Sequence, residues 1–188
     1  GQRSVKQAST GALRFVYDES GRMIGEYDYG AWATGLAVHE TVYLGDLPVV
    51  ALKAGRTYYI EPDHLNTPRT AKDAGDHRTV WRWAGDPFGT TPAQDDADGD
   101  GVVFSYNLRF PGQYLDMETG LHQNFHRDYN PALGRYVEAD PIGLWGGKNL
   151  YGYVRQQPLK WLDPTGEVWG NIAMGLFSAG CEAVNPGS

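Results

Sequence analysis

Residues 13–30, LRFVYDESGRMIGEYDYG, carry the pattern on which the fold turns. Leu13, Phe15 and Tyr17 alternate with Arg14, Val16 and Asp18, the period of a strand with one face turned inward. Glu19-Ser20-Gly21-Arg22 then breaks the alternation and a second alternating run follows, so the stretch predicts a β-hairpin. Short β-rich runs recur downstream at 42–44, 48–52 and 56–60, interrupted by Gly45-Asp46 and Ala54-Gly55. Gly75 turns the chain again, Thr79, Trp81 and Trp83 share one face of the next run, and Asp86 opens a further turn. Strands about ten residues apart with turns between predict consecutive antiparallel β-structure. Hairpins this short bury little alone and need neighbouring repeats to cover their edges.

Composition agrees with a mainly β chain. Aromatic residues make up 13%, with 12 Tyr and 6 Trp, and there are 25 Gly among the 188 residues. Large flat side chains with frequent chain reversals favour sheets over helix bundles. Hydrophobic residues at 41% and charged residues at 21% indicate a globular chain, one sizeable domain or part of a larger one. The net charge of −7 argues against a phosphate-backbone partner, so no nucleic acid is expected through this region. Cys181 stands alone, which excludes an internal disulfide or a cysteine-based zinc cluster. No apolar run is long enough for a transmembrane segment, and no charged-then-apolar opening marks a secretory signal. The chain opens inside what reads as a repeat, so it is expected to be a piece of a longer protein.

Further along, residues 91–101, TPAQDDADGDG, read as an exposed acidic excursion between strands. More short strands follow, with turns at Pro111-Gly112, 118–120 and 130–134. After Gly166 the chain becomes small and apolar, with room for one short helix within 171–184.

The tetrapeptide Asp-Pro-x-Gly occurs three times, beginning at Asp86, Asp140 and Asp163. Asp first, Pro second and Gly fourth are the preferences of a tight turn, and Pro pushes the preceding Asp into an extended conformation. Taken alone, the tetrapeptide reads as a turn at all three places.

Three longer stretches carry a family resemblance. Residues 14–28, RFVYDESGRMIGEYD, resemble the YD repeat, with Tyr17-Asp18 followed by Gly21-Arg22. Residues 63–89, DHLNTPRTAKDAGDHRTVWRWAGDPFG, are similar to the segment that opens the Rhs-associated core, and 108–166 resemble the rest of that core almost continuously. The resemblance implies an Rhs polymorphic toxin, or a relative such as the C component of Tc toxin complexes. It implies a YD-repeat β-shell segment over 1–60, an Rhs-associated core over 61–167 and a stub of variable C-terminal toxin region over 168–188. In that family the repeats wind into a hollow β-shell closed by the core, which acts as an aspartyl self-protease and frees the C-terminal toxin. No cofactor is implied. The implied partners are the protein's own C-terminal toxin domain, upstream YD repeats, a secretion-system carrier and an immunity protein. Delivery to the cell surface or exterior, as part of a larger bacterial protein, is implied likewise.

Residue by residue, Asp140 and Asp163 match the family's catalytic aspartates in position and in their 23-residue spacing, whereas Asp86 does not. Peptide hydrolysis needs a base for water and an acid for the leaving amine, and two close carboxylates sharing one proton supply both. Such a pair titrates as a unit. Arg127 matches an arginine associated with cleavage, and a guanidinium can hold a carboxylate ionised or orient the scissile carbonyl. Against that stands an ordinary shell salt bridge. The family has Leu directly after the second Asp-Pro-x-Gly and is cut after it; here that position is Glu167, making Glu167–Val168 the corresponding bond. A third carboxylate there is expected to compete for the shared proton. The alternative is a non-cleaving structural or surface-binding segment in which all three tetrapeptides are only turns.

Other constellations read as structural. Asp96, Asp98, Asp100 and Gly101 match the first half of an EF-hand calcium loop, but its twelfth position is Asn107 and no helices flank it, so a solvated acidic loop is expected. His122 and His126 are four apart in what reads as strand, with no third ligand for zinc. Gly146-Gly147 lacks a P-loop lysine and reads as a turn where backbones approach closely. No Gly-x-Ser-x-Gly elbow occurs, and Cys181 has no partner suggesting a nucleophile. The tryptophans at 81, 83, 145, 161 and 169 are expected to pack the shell and plug rather than stack on a sugar.

Overall fold

A computed structural model describes residues 2–8, 11–28 and 37–170. The helix expected within 171–184, and Cys181, lie outside the described residues. Eight strands run up and down in chain order as one antiparallel sheet: β1 (Val5–Ala8), β2 (Gly11–Tyr17), β3 (Met23–Asp28), β4 (Ala37–Leu44), β5 (Leu47–Lys53), β6 (Arg56–Pro62), β7 (Pro68–Asp73) and β8 (Thr79–Arg82). The predicted hairpin is β2–β3, with Phe15 opposite Glu26. Its turn is built by Asp18, whose Oδ1 accepts from the backbone N–H of Ser20 and of Arg22. Strand β6 crosses the boundary expected at 60/61 and pairs with both β5 and β7, so the sheet runs on unbroken into the second segment.

A smaller sheet follows, also antiparallel and in chain order: β9 (Gln113–Asp116), β10 (Leu121–Asn124), β11 (Arg127–Asn130) and β12 (Arg135–Tyr136). Between the sheets, Phe104, Tyr106, Leu108 and Phe110 are buried at alternate positions, the mark of an extended segment laid against the wall. Phe104 meets Tyr58 of β6, Tyr106 meets Trp81 of β8, and Phe110 meets Trp83 just beyond it. Tyr129 and Tyr153 continue the cluster on the other side of Phe110. Arg109 is buried there too, over the Trp83 ring at 5.0 Å, with its Nη1 donating to the carbonyls of Tyr106 and Leu108. Aromatic faces and a guanidinium satisfied by backbone carbonyls thus join the two sheets into one core.

Trp81 and Trp83 are fully buried and Trp161 and Trp169 pack partly against the core, as expected. Trp145 is a correction: it is 85% exposed, on the short 3-10 turn Gly143–Trp145, in which no residue is buried. The acidic excursion is largely exposed, as expected, but its backbone is tied to β8, Ala97 N–H donating to the Val80 carbonyl and Arg82 and Gln94 bridging, and the Asp98 side chain is withdrawn from solvent. Among the described residues no helix is long and apolar enough to cross a membrane.

Candidate functional site

All three Asp-Pro-x-Gly segments are turns, and in each the glycine has a left-handed φ: +81° at Gly89, +64° at Gly143 and +70° at Gly166. Only glycine adopts that conformation without steric cost, which is why the fourth position is invariant among the copies. The surroundings separate them. Asp86 spends its carboxylate on its own loop, accepting from the N–H groups of Phe88, Thr90 and Thr91. Slight burial pushes its pKa up, but hydrogen bonds from Thr90, Phe88 and Thr91 outweigh that and hold it well below the usual carboxylate range. It is a turn former only.

Asp140 and Asp163 face a common partner instead. Arg127 begins β11 and points inward, where Tyr129 follows on the same face by the two-residue period of a strand. Its Nη1 lies 3.1 Å from Asp140 Oδ2 and its Nη2 lies 3.2 Å from Asp163 Oδ2. The three side chains are 2%, 6% and 3% exposed, in the order Arg127, Asp140, Asp163. The guanidinium also donates from Nη1 to the Leu150 carbonyl at 3.2 Å and from Nε to the Gly166 carbonyl at 2.5 Å. Its carbon sits 3.6 Å from the centroid of the Tyr136 ring, which roofs it. One cation therefore binds two buried carboxylates and two backbone carbonyls, an arrangement the planar guanidinium fork permits and a lysine does not.

Asp163 is the most constrained member. Oδ2 accepts from the Tyr136 hydroxyl at 2.9 Å, and Oδ1 accepts from the Glu167 N–H at 3.1 Å. Asn124 Nδ2 donates to the Asp163 carbonyl and to the Tyr136 hydroxyl oxygen, both at 2.8 Å. Burial pushes the Asp163 pKa up; Arg127, the Tyr136 hydroxyl and the Glu167 N–H oppose this, and the Asp140 charge adds to the rise. The net direction is upward, towards the protonated acid. Tyr136 is raised well above the usual phenol range by burial and by the Asp163 charge, so it remains a donor. Asp140 is held by its turn, with Ile142 N–H donating to Oδ1, and Gly146 passes so close that a Cβ there would sit 2.3 Å from Oδ2. The close backbone approach read from Gly146-Gly147 is thus the floor of the Asp140 carboxylate.

The chain leaving Asp163 is gripped at the Gly166–Glu167 peptide, its carbonyl by Arg127 and its N–H by Asp163. The Glu167–Val168 bond is the next one on. Contrary to expectation, the Glu167 carboxylate turns to His126, Oε1 lying 3.5 Å from Nε2, while only its backbone amide meets Asp163. Two buried aspartates bridged by a guanidinium, beside a clamped peptide, have the components of acid–base peptide hydrolysis.

Sequence reasoning assembled Arg127, Asp140, Asp163 and Glu167, and these do converge. It missed Tyr136 and Asn124. Both are inward residues of short strands, and the alternation within each strand, His122 and Asn124 on β10 and Arg127 and Tyr129 on β11, was the signal available. His122 and His126 do not converge: His122 is buried on Gln113 through Nδ1, and His126 faces Glu167. Arg135 is exposed on β12.

Against known proteins, the Teneurin YD-shell family model matches residues 40–151. The toxin protein Tse5 of Pseudomonas aeruginosa is 37% identical over 131 residues, 70% of this chain and 9% of that protein. A probable deoxyribonuclease, RhsA of Dickeya dadantii, is 52% identical over 59 residues, 31% of this chain and 4% of that protein. The chain thus spans less than a tenth of either relative. The Tc holotoxin pore of Photorhabdus luminescens superposes with a TM-score of 0.60 at 21% identity, over 88% of this chain and 8% of that one, a likeness of fold.

Proposed function

The chain belongs to the Teneurin YD-shell family, and from that premise we propose that it closes a toxin shell and cuts its own chain once, at Glu167–Val168, to free a C-terminal effector. The observation that carries this reading is the pair of buried aspartates on one arginine, with the downstream peptide held by the same arginine and by Asp163. In the proposed reaction, water adds to the Glu167 carbonyl carbon. One carboxylate of the pair takes the water proton, and the other protonates the departing Val168 nitrogen as the C–N bond breaks. The raised Asp163 pKa supports a shared proton, which the pair needs in order to be acid and base together. Arg127 offsets the negative charge that develops in the transition state. The clamp on the preceding peptide supplies orientation.

The whole protein is then a larger bacterial toxin, carried outside the cell by a secretion system and matched by an immunity protein. Its upstream repeats complete the wall, and its effector lies beyond residue 168. A second reading, a non-cleaving structural plug, draws on the completeness of the same ion-pair set: Arg127 satisfies both aspartates without any substrate.

Intact mass of the region expressed with its upstream repeats, beside Asp140→Asn and Asp163→Asn, separates the two. Loss of everything from residue 168 onward in the parent, with both variants intact, is expected. A full-length mass in all three leaves the plug. A cut between Gly166 and Glu167 would keep the aspartate pair and move the bond to the peptide that Arg127 holds directly.

A further inference from the structure

We infer that Trp169, seated against the guanidinium of Arg155, is a positioning residue that holds the downstream side of the bond cut at Glu167–Val168; the inference rests on the cleavage reading above. Up to Glu167 the chain is held by Arg127, Asp163 and His126. Beyond Val168 a second set of contacts takes over. Gly170 N–H donates to the Leu162 carbonyl and Leu162 N–H to the Gly170 carbonyl, both at 2.9 Å, so residues 163–169 form a loop closed at its base. The Trp169 indole packs edge-on to Trp161, ring centroids 5.1 Å apart, and its centroid lies 4.3 Å from the Arg155 guanidinium carbon. Its Nε1 donates to the Gly146 carbonyl at 3.3 Å. These two anchors reach the two aspartate turns separately. Leu162 immediately precedes Asp163, and Gly146 is the glycine against which the Asp140 carboxylate rests. Trp169 and Gly170 therefore tie the far side of the bond to both aspartates. Both flanks are fixed, and a displacement of about 1 Å from reacting geometry costs roughly 10²-fold in rate.

The backbone beneath Arg155 is a second, independent observation. Val154, Arg155 and Gln156 have φ of +40°, +54° and +59°, three consecutive left-handed residues of which none is glycine. That conformation is costly for any residue with a Cβ, most of all for a β-branched valine. It persists because Val154 is buried in the core and the Gln156 side chain donates to the Gly134 carbonyl at 3.2 Å. Its effect is to turn Arg155 outward and over the Trp169 ring. Glycine would make the same turn at lower cost. What arginine adds is a cation on the face of Trp169. Backbone strain kept at such a place goes with a function of the side chain it presents. Trp169 and Arg155 act through the loop, orienting the Glu167–Val168 peptide for the aspartate pair.

The test is the rate and position of the cut in the full-length protein, followed by intact mass after a pulse of cell-free synthesis, for the parent, Trp169→Ala, Trp169→Phe and Arg155→Gly. Hydrogen exchange in β9–β12 reports whether each variant keeps its core. Trp169→Ala is expected to cut about tenfold or more slowly, and to scatter the cut over neighbouring peptides. Trp169→Phe keeps a ring between Trp161 and Arg155 but loses the Nε1 donor, so it should recover most of that rate. Arg155→Gly separates positioning from packing. Glycine accepts φ +54° freely, so its melting temperature should match or exceed the parent's while its cut slows several-fold. A single cut at the parental rate in Trp169→Ala overturns the role of Trp169, and a parental rate in Arg155→Gly overturns that of its seat. A slow Trp169→Ala that also loses protection in β9–β12, with Trp169→Phe no faster, makes the residue structural and overturns the inference as well. A parent that stays uncut overturns the cleavage reading and this inference with it, whereas a cut parent beside indifferent variants overturns this inference alone.

Discussion

Replacing Arg127 by Met keeps most of the side-chain length but removes the one cation between Asp140 and Asp163. Both carboxylates stay buried, the Gly166 carbonyl loses its donor, and the Leu150 carbonyl keeps the Asp140 N–H but loses its second donor. Removing one partner from a buried ion pair costs about 3–5 kcal/mol, and here two anions are left together. That corresponds to roughly two to four orders of magnitude in the local opening equilibrium. The pH dependence carries the sharper test. Asp163 already has a raised folded pKa, so the folded state holds a proton that the unfolded chain has released, and stability falls as pH rises through that window. Without the guanidinium the folded pKa of the pair rises further and the window extends upward. The penalty of Arg127→Met should therefore be larger at pH 8 than at pH 5. Hydrogen exchange of residues 124–130 and 160–167, corrected for intrinsic rates, reads both values. Adding Asp140→Asn and Asp163→Asn should recover part of the loss by removing the unpaired charges, a non-additivity expected only of coupled groups. A penalty that does not change with pH, or one below about 1 kcal/mol, would refute the assignment of Arg127 as the counter-ion of a buried pair.

Three further outcomes follow from the geometry. Tyr136→Phe removes one hydrogen bond to Asp163 while Asn124 keeps its second partner, so a loss of about 1–2 kcal/mol is expected in thermal unfolding, with self-cleavage slowed but not abolished; a variant as inert as Asp163→Asn would mean that Tyr136 does more than position. Gly112→Ala would set a Cβ 2.1 Å from the Pro164 carbonyl oxygen at a residue with φ +86°, and should destabilise the core by at least about 1–3 kcal/mol, whereas an unchanged melting curve would show that the two turns are not in contact. His39 and His122 are buried, and burial first, then Lys53 or Arg109 respectively, lowers them from 6.5 to about 4 and about 3. Below pH 6.5 the unfolded chain gains protons the folded one refuses, so their contribution is complete above that pH and lost as pH falls towards 4, by roughly 3 kcal/mol for His39. Urea midpoints that stay level from pH 7 to pH 4.5, in the parent and in His122→Gln alike, would contradict this.

Much of the wall was legible because its causes are local. Alternation at 13–18 and 79–83 is the strand period itself, and Asp18 closes the β2–β3 turn through hydrogen bonds to Ser20 and Arg22 only two and four residues away. The order of the strands followed from short connections, which leave consecutive strands little choice but to pair. The site was half legible. Asp140, Asp163 and Arg127 were assembled by resemblance, and nothing in the tetrapeptide itself distinguishes the two aspartates from Asp86, which has the same tetrapeptide and the same left-handed glycine.

What the sequence by itself determined, then, is the alternation, the turns and the succession of antiparallel strands, because backbone dihedrals and hydrogen bonds over a few residues decide them. Only the tertiary structure decided which carboxylates lose their water. Asp163 meets Arg127 and Tyr136 across 36 and 27 residues, while Asp86 finds its donors within five. Trp83 is buried and Trp145 exposed for the same reason. Asp98, one of three similar aspartates in a polar loop, is enclosed because its loop is tied to β8. Desolvation is a property of what packs over a group, and that is settled by segments far apart in the chain.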